Sequence, residues 1–191
     1  SEAIVRGLMS HEVKEKEGLL IIDLGAMTTN VIIHDHGTIR FTATLPKGAE
    51  ALLQAVPSVR PNQNPLHGAG DDGALGLELK NVTVEELAKQ LQPSFDELLT
   101  EVHGIVEFYS GQGEGHTINE LIFTGGGSNL AGIERAFLRF FEDVHAERGN
   151  PWVNVIAARS EATVPMELTE SAHFATALGC ALRPVKGGYA P

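Results

Sequence analysis

Apolar positions along the chain fall into continuous, alternating and helical patterns, and each predicts a different element. Residues 19–22 (Leu-Leu-Ile-Ile) and 31–33 (Val-Ile-Ile) are continuous apolar runs. Continuous runs this short predict strands buried on both faces. Between them lies a polar turn carrying Asp23, Gly25, Thr28 and Thr29, so the two strands read as a hairpin. His34-Asp35-His36-Gly37 predicts a second turn. Residues 38–45 then alternate, with Ile39, Phe41, Ala43 and Leu45 on one face of a third antiparallel strand. Pro46-Lys47-Gly48 ends it ahead of a short helix over residues 49–56.

Helical spacing dominates elsewhere. Ile4, Val5, Leu8 and Met9 predict a short helix before the charged run 11–17. Thr83 followed by Glu86 forms a capping box at the start of an amphipathic helix. Pro93 interrupts that pattern and is expected to open a second helix at its first turn. On that helix Phe95, Leu98, Leu99, Val102, Ile105, Val106 and Tyr109 mark one apolar face, which ends at Ser110-Gly111-Gln112-Gly113. Residues 119–124 read as a short buried strand leading into Gly125, Gly126, Gly127 and Ser128. Asn129 is expected to cap the following helix, whose apolar positions are Leu130, Ile133, Phe137, Leu138 and Phe141. Residues 151–156 predict another strand, 157–168 an irregular stretch, and Thr169 the cap of a final helix over 172–182.

The domain reading follows from this order. Residues 1–17 form an N-terminal helix or connector and 18–183 one α/β domain with a mixed sheet, three antiparallel N-terminal strands and helices on its faces. Within it, 57–81 is a flexible loop rich in Pro and Gly, with room for a strand at 75–79. The tail 184–191 is expected to be disordered.

Charge and composition narrow the partners. The 191 residues carry a formal net charge of −11, which disfavours a broad nucleic-acid surface and electrostatic docking on anionic lipid. Any membrane association is expected to run through a protein partner. No apolar stretch nears the roughly 18–20 residues of a membrane span, and no signal peptide is evident, so the expected location is the cytoplasm. The single cysteine, Cys180, excludes an internal disulfide and reads as a buried, inert thiol in a small-residue helix. Trp152 and Phe174 are expected in or near the core. The chain begins Ser1-Glu2-Ala3 and is expected to be a piece of something longer.

Two constellations carry chemistry. In the first turn, exposed N–H groups and the hydroxyls of Thr28 and Thr29 suit an anion, Gly25 permits close approach or positive φ, and Asp23 suits hydrated magnesium. In the second, Gly125, Gly126, Gly127 and Ser128 lie between a strand and a helix, where the chain can pass close to a flat or anionic group. In an open sheet both loops could leave the same edge. A plain polar hairpin and a tight strand-to-helix turn account for the same residues. His34 and His36 flank Asp35, but no third zinc ligand is evident. Ser128 lacks a nucleophile elbow, so a hydrolase serine is not expected.

In order, these pieces resemble the second half of an actin-like ATPase, the superfamily of actin, heat-shock chaperones and sugar kinases. Residues 23–30 (Asp-Leu-Gly-Ala-Met-Thr-Thr-Asn) resemble its second phosphate motif, and 121–128 (Leu-Ile-Phe-Thr-Gly-Gly-Gly-Ser) its adenosine motif. Within the superfamily the chain is most similar to the PilM family of type IV pilus assembly proteins and to its relative FtsA. Residues 101–112, 129–133 and 174–183 carry that further similarity. The resemblance implies an RNase H-like fold and ATP with Mg2+ held by Asp23, Gly25, Thr28, Thr29, Gly125, Gly126, Gly127 and Ser128, with Asp23 on the metal side. It implies a cytoplasmic assembly or docking role, peripheral to the inner membrane, among pilus or type II secretion-like proteins. Self-association stays open.

The departures limit these expectations. No second Asp-x-Gly strand pair supplies the facing half of the cleft, so this chain alone is expected to hydrolyse no ATP and to bind it weakly at best. The lobe at 57–81 looks reduced, and Asn30 stands where FtsA-like proteins often carry Asp. Two other readings stay open: a fragment of a sugar kinase or exopolyphosphatase-like enzyme, and a scaffold that has lost nucleotide binding.

Overall fold

The computed structural model describes residues 1–9, 18–56, 83–112, 117–141, 143–156 and 166–183. The loop expected at 57–81 with its strand at 75–79, the run 11–17 and the tail 184–191 lie outside the described residues. The elements are α1 (Glu2–Leu8), β1 (Leu19–Leu24), β2 (Thr29–Asp35), β3 (Thr38–Leu45), α2 (Ala49–Gln54) and α3 (Val84–Ser110). They continue with β4 (Glu120–Thr124), a 3-10 turn (Gly126–Asn129), α4 (Ile133–Phe140), β5 (His145–Arg148), α5 (Val153–Ile156) and α6 (Leu168–Ser171). A second 3-10 turn (Ala172–Phe174) and α7 (Ala175–Ala181) are the last elements among the described residues.

The strands form one sheet in the order β3-β2-β1-β4-β5. β1 pairs antiparallel with β2, from Leu19 opposite His34 to Leu24 opposite Thr29. On its other side β1 pairs parallel with β4, from Leu19 beside Glu120 to Asp23 beside Thr124. Being central, β1 must be apolar on both faces, which is why its run does not alternate. Leu20, Ile22 and Leu24 pack with β2 residues Val31 and Ile33 in a large core shared with α2, α3 and α4. Leu19, Ile21 and Ile32 face the other way, into a smaller core closed by Ile4, Val5, Leu8 and Met9 of the α1 region and Ala175 of α7. The N-terminal helix is thus part of the second layer.

Several elements differ from their sequence reading. α3 runs unbroken through Pro93. A proline inside a helix costs about 3 kcal/mol, but Leu87, Leu91, Phe95, Leu98, Leu99 and Val102 stay in phase across it and are all buried. Each such side chain contributes about 1.5–3 kcal/mol on full burial, so the core holds the helix through. The capping box at Thr83 and Glu86 is present.

The strand expected at 151–156 is instead a turn followed by the short helix α5. Asn150 Oδ1 accepts from the Trp152 N–H at 3.0 Å, and the Asn150 carbonyl accepts from the Val153 N–H, so the chain turns there. The edge strand is the charged β5, paired on one side to β4. Gly132, not Asn129, precedes α4, and Thr169 lies inside α6 rather than capping the last helix. Ile39 packs into the smaller core, because a register shift at Ile33/His34 turns the start of β3 to the other face. Cys180 is exposed, since Ala175 and Gly179 occupy the buried face of α7; Phe174 is 39% exposed.

Asp35 closes one end of the sheet. It accepts hydrogen bonds from the Gly18 N–H at 2.9 Å and the Tyr109 hydroxyl at 2.8 Å, and His36 Nδ1 lies 2.9 Å from it. Burial alone would raise its pKa; the hydrogen bonds, that of Tyr109 foremost, outweigh burial and hold the carboxyl below the ordinary 3.8. Burial and the bond to Asp35 push the Tyr109 hydroxyl up to about 12. A carboxyl lowered in the folded state adds stability above its unfolded pKa and loses it as pH falls through the folded value. Asp35→Asn is expected to cost about 2 kcal/mol near neutral pH, read by urea unfolding. It should also flatten the decline in stability as pH falls below about 4.

Candidate nucleotide site

Parallel pairing of β1 with β4 sends the two candidate loops out of the same strand edge. Register places Thr44, Asn30, Asp23 and Thr124 in one polar row across β3, β2, β1 and β4, just beyond Ile32 and Ile21. The Thr44 hydroxyl donates to Asn30 Oδ1 at 2.9 Å, and Asn30 Nδ2 donates to Asp23 Oδ2 at 3.1 Å. Thr124 is fully buried and donates its hydroxyl to the Ala172 carbonyl at 3.1 Å.

Asp23 is the site's acid. Burial raises its pKa above the ordinary value, opposed by the Asn30 hydrogen bond. Its other oxygen, Oδ1, borders Gly125, where a Cβ would stand 2.6 Å from it and 2.5 Å from the Leu24 carbonyl oxygen. Gly125 has φ of +84°. Both the left-handed backbone and the lack of space require glycine there. The positive φ expected as an option at Gly25 occurs at Gly125 instead; Gly25 is not among the positive-φ glycines.

The hairpin loop is braced by α2. The Gly25 N–H donates to the Thr28 carbonyl at 2.9 Å, while the Gly25 and Ala26 carbonyls accept from the Ala49 and Glu50 N–H groups at 2.9 and 3.0 Å. The N–H groups of Ala26, Met27 and Thr28 take no partner among the described residues. They form the exposed tip, with Met27 68% exposed. Such a row of unpaired N–H groups suits an anion.

The hydroxyls divide. Thr28 is half-buried and its hydroxyl makes no hydrogen bond to a described residue. Thr29 opens β2 and shares a face with Leu24 and Leu45, its register partners. It is fully buried and donates to the Lys47 carbonyl at 2.6 Å. Ser128 is fully buried as well and donates to the Gly125 carbonyl at 2.7 Å. Gly127 is packed under the Leu24 side chain, and Gly126 opens the 3-10 turn. Asp23, Thr28 and Gly126 therefore keep part of their surface exposed at this strand edge, whereas Thr29, Gly125, Gly127 and Ser128 are buried behind it.

Arg148 escaped the sequence reading. It donates to Ser128 Oγ at 3.0 Å and to Asn129 Oδ1 at 2.7 Å, with its guanidinium 5.3 Å above the Phe123 ring. Burial lowers its pKa, opposed by Glu134. It clamps the glycine turn from beneath. Only the β4–β5 pairing, which sets Phe123 beside Arg148, reveals it.

The residues fit a phosphate and a hydrated cation in part. Asp23 is a single carboxylate beside free N–H groups, which matches magnesium held by one or two carboxylates together with phosphate oxygens. Among the described residues no cluster of three metal-ligating side chains occurs. A carboxyl raised in the folded state weakens folding wherever it is ionised, so its cost appears as pH rises through the folded pKa. Asp23→Asn is expected to raise the melting temperature near neutral pH and to leave it unchanged near pH 3, checked by calorimetry at both. Gly125→Ala is expected to lower stability by roughly 2–4 kcal/mol in urea unfolding, from the backbone strain and the clash with Leu24.

A family model described as type IV pilus assembly protein PilM matches residues 1–185. A PilM–PilN type IV pilus biogenesis complex is a structural neighbour at TM-score 0.67 and 22% identity, over 94% of this chain and 50% of that one. MreB5 of Spiroplasma citri bound to ADP follows at TM-score 0.61 and 13% identity, over 95% and 57%. The ethanolamine utilization protein EutJ from Carboxydothermus hydrogenoformans gives 0.56 and 16%, over 95% and 52%. The chain thus spans about half the length of these neighbours. No curated protein matches it. The match over nearly the whole chain shows that the chain belongs to the PilM family of type IV pilus assembly proteins, and its fold is the one shared with these neighbours.

Proposed function

We propose that the chain is the nucleotide-binding half of a PilM-like ATPase. It holds the phosphates of Mg-ATP against the tip at Ala26, Met27 and Thr28, and its task is to dock within a pilus or secretion-like assembly. The observation that carries this is the convergence of Asp23 Oδ1 and the left-handed Gly125 at one strand edge. A bound Mg-nucleotide would bring divalent charge that offsets its phosphate oxygens. Asp23 would hold the ion's water shell, Asn30 and Thr44 would orient that carboxylate, and the Gly125–Gly126 turn would let the nucleoside pass close to the backbone. The MreB5 neighbour is described as bound to ADP, which supports the ligand class. The PilM–PilN neighbour supports an assembly partner. Among the described residues no helix is long and apolar enough to cross a membrane. A peripheral, cytoplasmic position held through a partner fits that reading.

A scaffold without nucleotide is the second reading, favoured by one observation. The backbone at Gly125 and the closeness of Leu24 to Gly125 and Gly127 already call for glycine at both, whatever the ligand. Against it stands Asp23, a carboxylate whose burial raises its pKa and which a scaffold would not need.

Calorimetric titration with Mg-ATP separates the two. This chain alone is expected to bind with Kd above about 1 mM, because half a cleft supplies less than about 4 kcal/mol. A longer chain carrying the facing half is expected to bind at least tenfold more tightly, on the order of 1.4 kcal/mol, and to lose that gain with Asp23→Ala. Binding that Asp23→Ala leaves untouched would falsify the assignment, and no binding by the longer chain would favour the scaffold.

A further inference from the structure

We propose that the open edge of β3, walled by one stripe of α3, docks an extended segment of a partner protein in which apolar residues alternate with Lys or Arg. β3 is an outer strand of the sheet, and among the described residues nothing pairs with its free side. Two contacts fix α3 alongside it. Lys47, just past the strand, lies 2.8 Å from Glu97 and 3.8 Å from Glu101, and the Phe41 and Phe108 rings are 6.0 Å apart. Glu97, Glu101, Gly104 and Phe108 follow at helical spacing and so form one stripe.

Two features of that stripe make no sense for a bare surface. Phe108 is 58% exposed, a large aromatic beside an unpaired strand edge. Gly104 sits deep inside a 27-residue helix, yet a Cβ added there would meet nothing within 4 Å. Glycine weakens a helix interior relative to alanine, and no packing of the described fold calls for it. It leaves the helix backbone bare next to Phe108, where another chain can approach closely. A strand added to β3 would turn every second side chain toward Phe41 and Phe108 and the others toward Thr42 and Thr44.

Charge selects the occupant. Glu97 and Glu101 share Lys47, Glu107 lies 3.5 Å from His103, and Arg40 of β3 is engaged with the Asp35 carbonyl at 3.3 Å, so the α3 wall carries excess carboxylate on a chain of net charge −11. A second copy would bring the same carboxylates and the same net charge to face them. A basic, alternating segment of a different protein meets both the edge and the wall. Phe41 and Phe108 lie toward the Asp35 end of the sheet, whereas Lys47, Glu97 and Glu101 lie toward the Thr29 end, so the surface runs the length of β3. Neither Gly104 nor Phe108 belongs to the proposed nucleotide site, and their variants test the docking by itself.

A phage-displayed library of ten-residue peptides, panned on the whole chain, tests it. Enriched peptides are expected to alternate apolar with Lys or Arg and to slow amide exchange across residues 38–45. They should lose about tenfold or more in affinity for Gly104→Gln and for Phe108→Ser, the order of loss expected at a central anchor. Both substitutions fall on the exposed surface and leave the buried core intact. Peptides without that alternation, affinity for either variant equal to that for the unaltered chain, or unchanged β3 exchange overturn the proposal. Concentration-dependent dimerisation of the chain in sedimentation, abolished by Gly104→Gln, also overturns it and assigns the edge to a second copy.

Discussion

The structure depends above all on the parallel pairing of β1 with β4. Its register, Asp23 beside Thr124, fixes where both loops emerge, because the residue after each strand end inherits the alignment. Asp23 and Gly125 are separated by about a hundred residues in the chain and by less than a side chain in space. The same pairing centres β1 in the sheet, which forces Leu19, Leu20, Ile21 and Ile22 to be apolar on both faces and so to bury completely. Two cores follow from one strand. α2, α3 and α4 cover one face, and α1 with α7 cover the other.

The two aspartates of the β1–β2 hairpin show how differently one residue type is used at the two ends of one sheet. Asp35 is almost fully buried, yet its hydrogen-bond donors keep its carboxyl below the ordinary pKa. It ties the end of α3 and the start of β1 to the hairpin. Asp23 has one amide donor and a raised pKa. Its charge is carried at a cost to stability, as at sites kept for a ligand rather than for folding. The end of the sheet with the more fully bonded carboxylate is the anchor, and the other end carries the more exposed one.

The glycines divide in a similar way. Gly125 is required by a left-handed backbone and by the nearness of Leu24 and Asp23. Gly104 is required by nothing in the described fold, and that surplus is what marks the β3 edge as a surface for another chain. An unpaired strand beside an exposed phenylalanine is a hazard unless it is used or shielded.

Local pattern determined much of this protein. The continuous runs of β1 and β2, the alternation of β3, the capping box at Thr83 and the apolar stripe of α3 all follow from periodicity, which a residue's near neighbours set. The motifs at 23–30 and 121–128 were legible for the same reason, as strand ends followed by turn residues. Tertiary structure decided the rest. Pro93 reads locally as a helix start, but burial of Leu91 and Phe95 on either side holds one helix through it. β5 carries no strand pattern, and pairing with β4 alone makes it a strand. Thr28 and Thr29 are equivalent in sequence, yet Thr28 stays half-buried in the turn while Thr29, the first residue of β2, is buried against Lys47. Arg148 reaches Ser128 and Asn129 because β5 pairs with β4 and sets it beside Phe123. The chemistry of a residue is written in its type, but the face it presents is set by contacts formed across a hundred residues of chain.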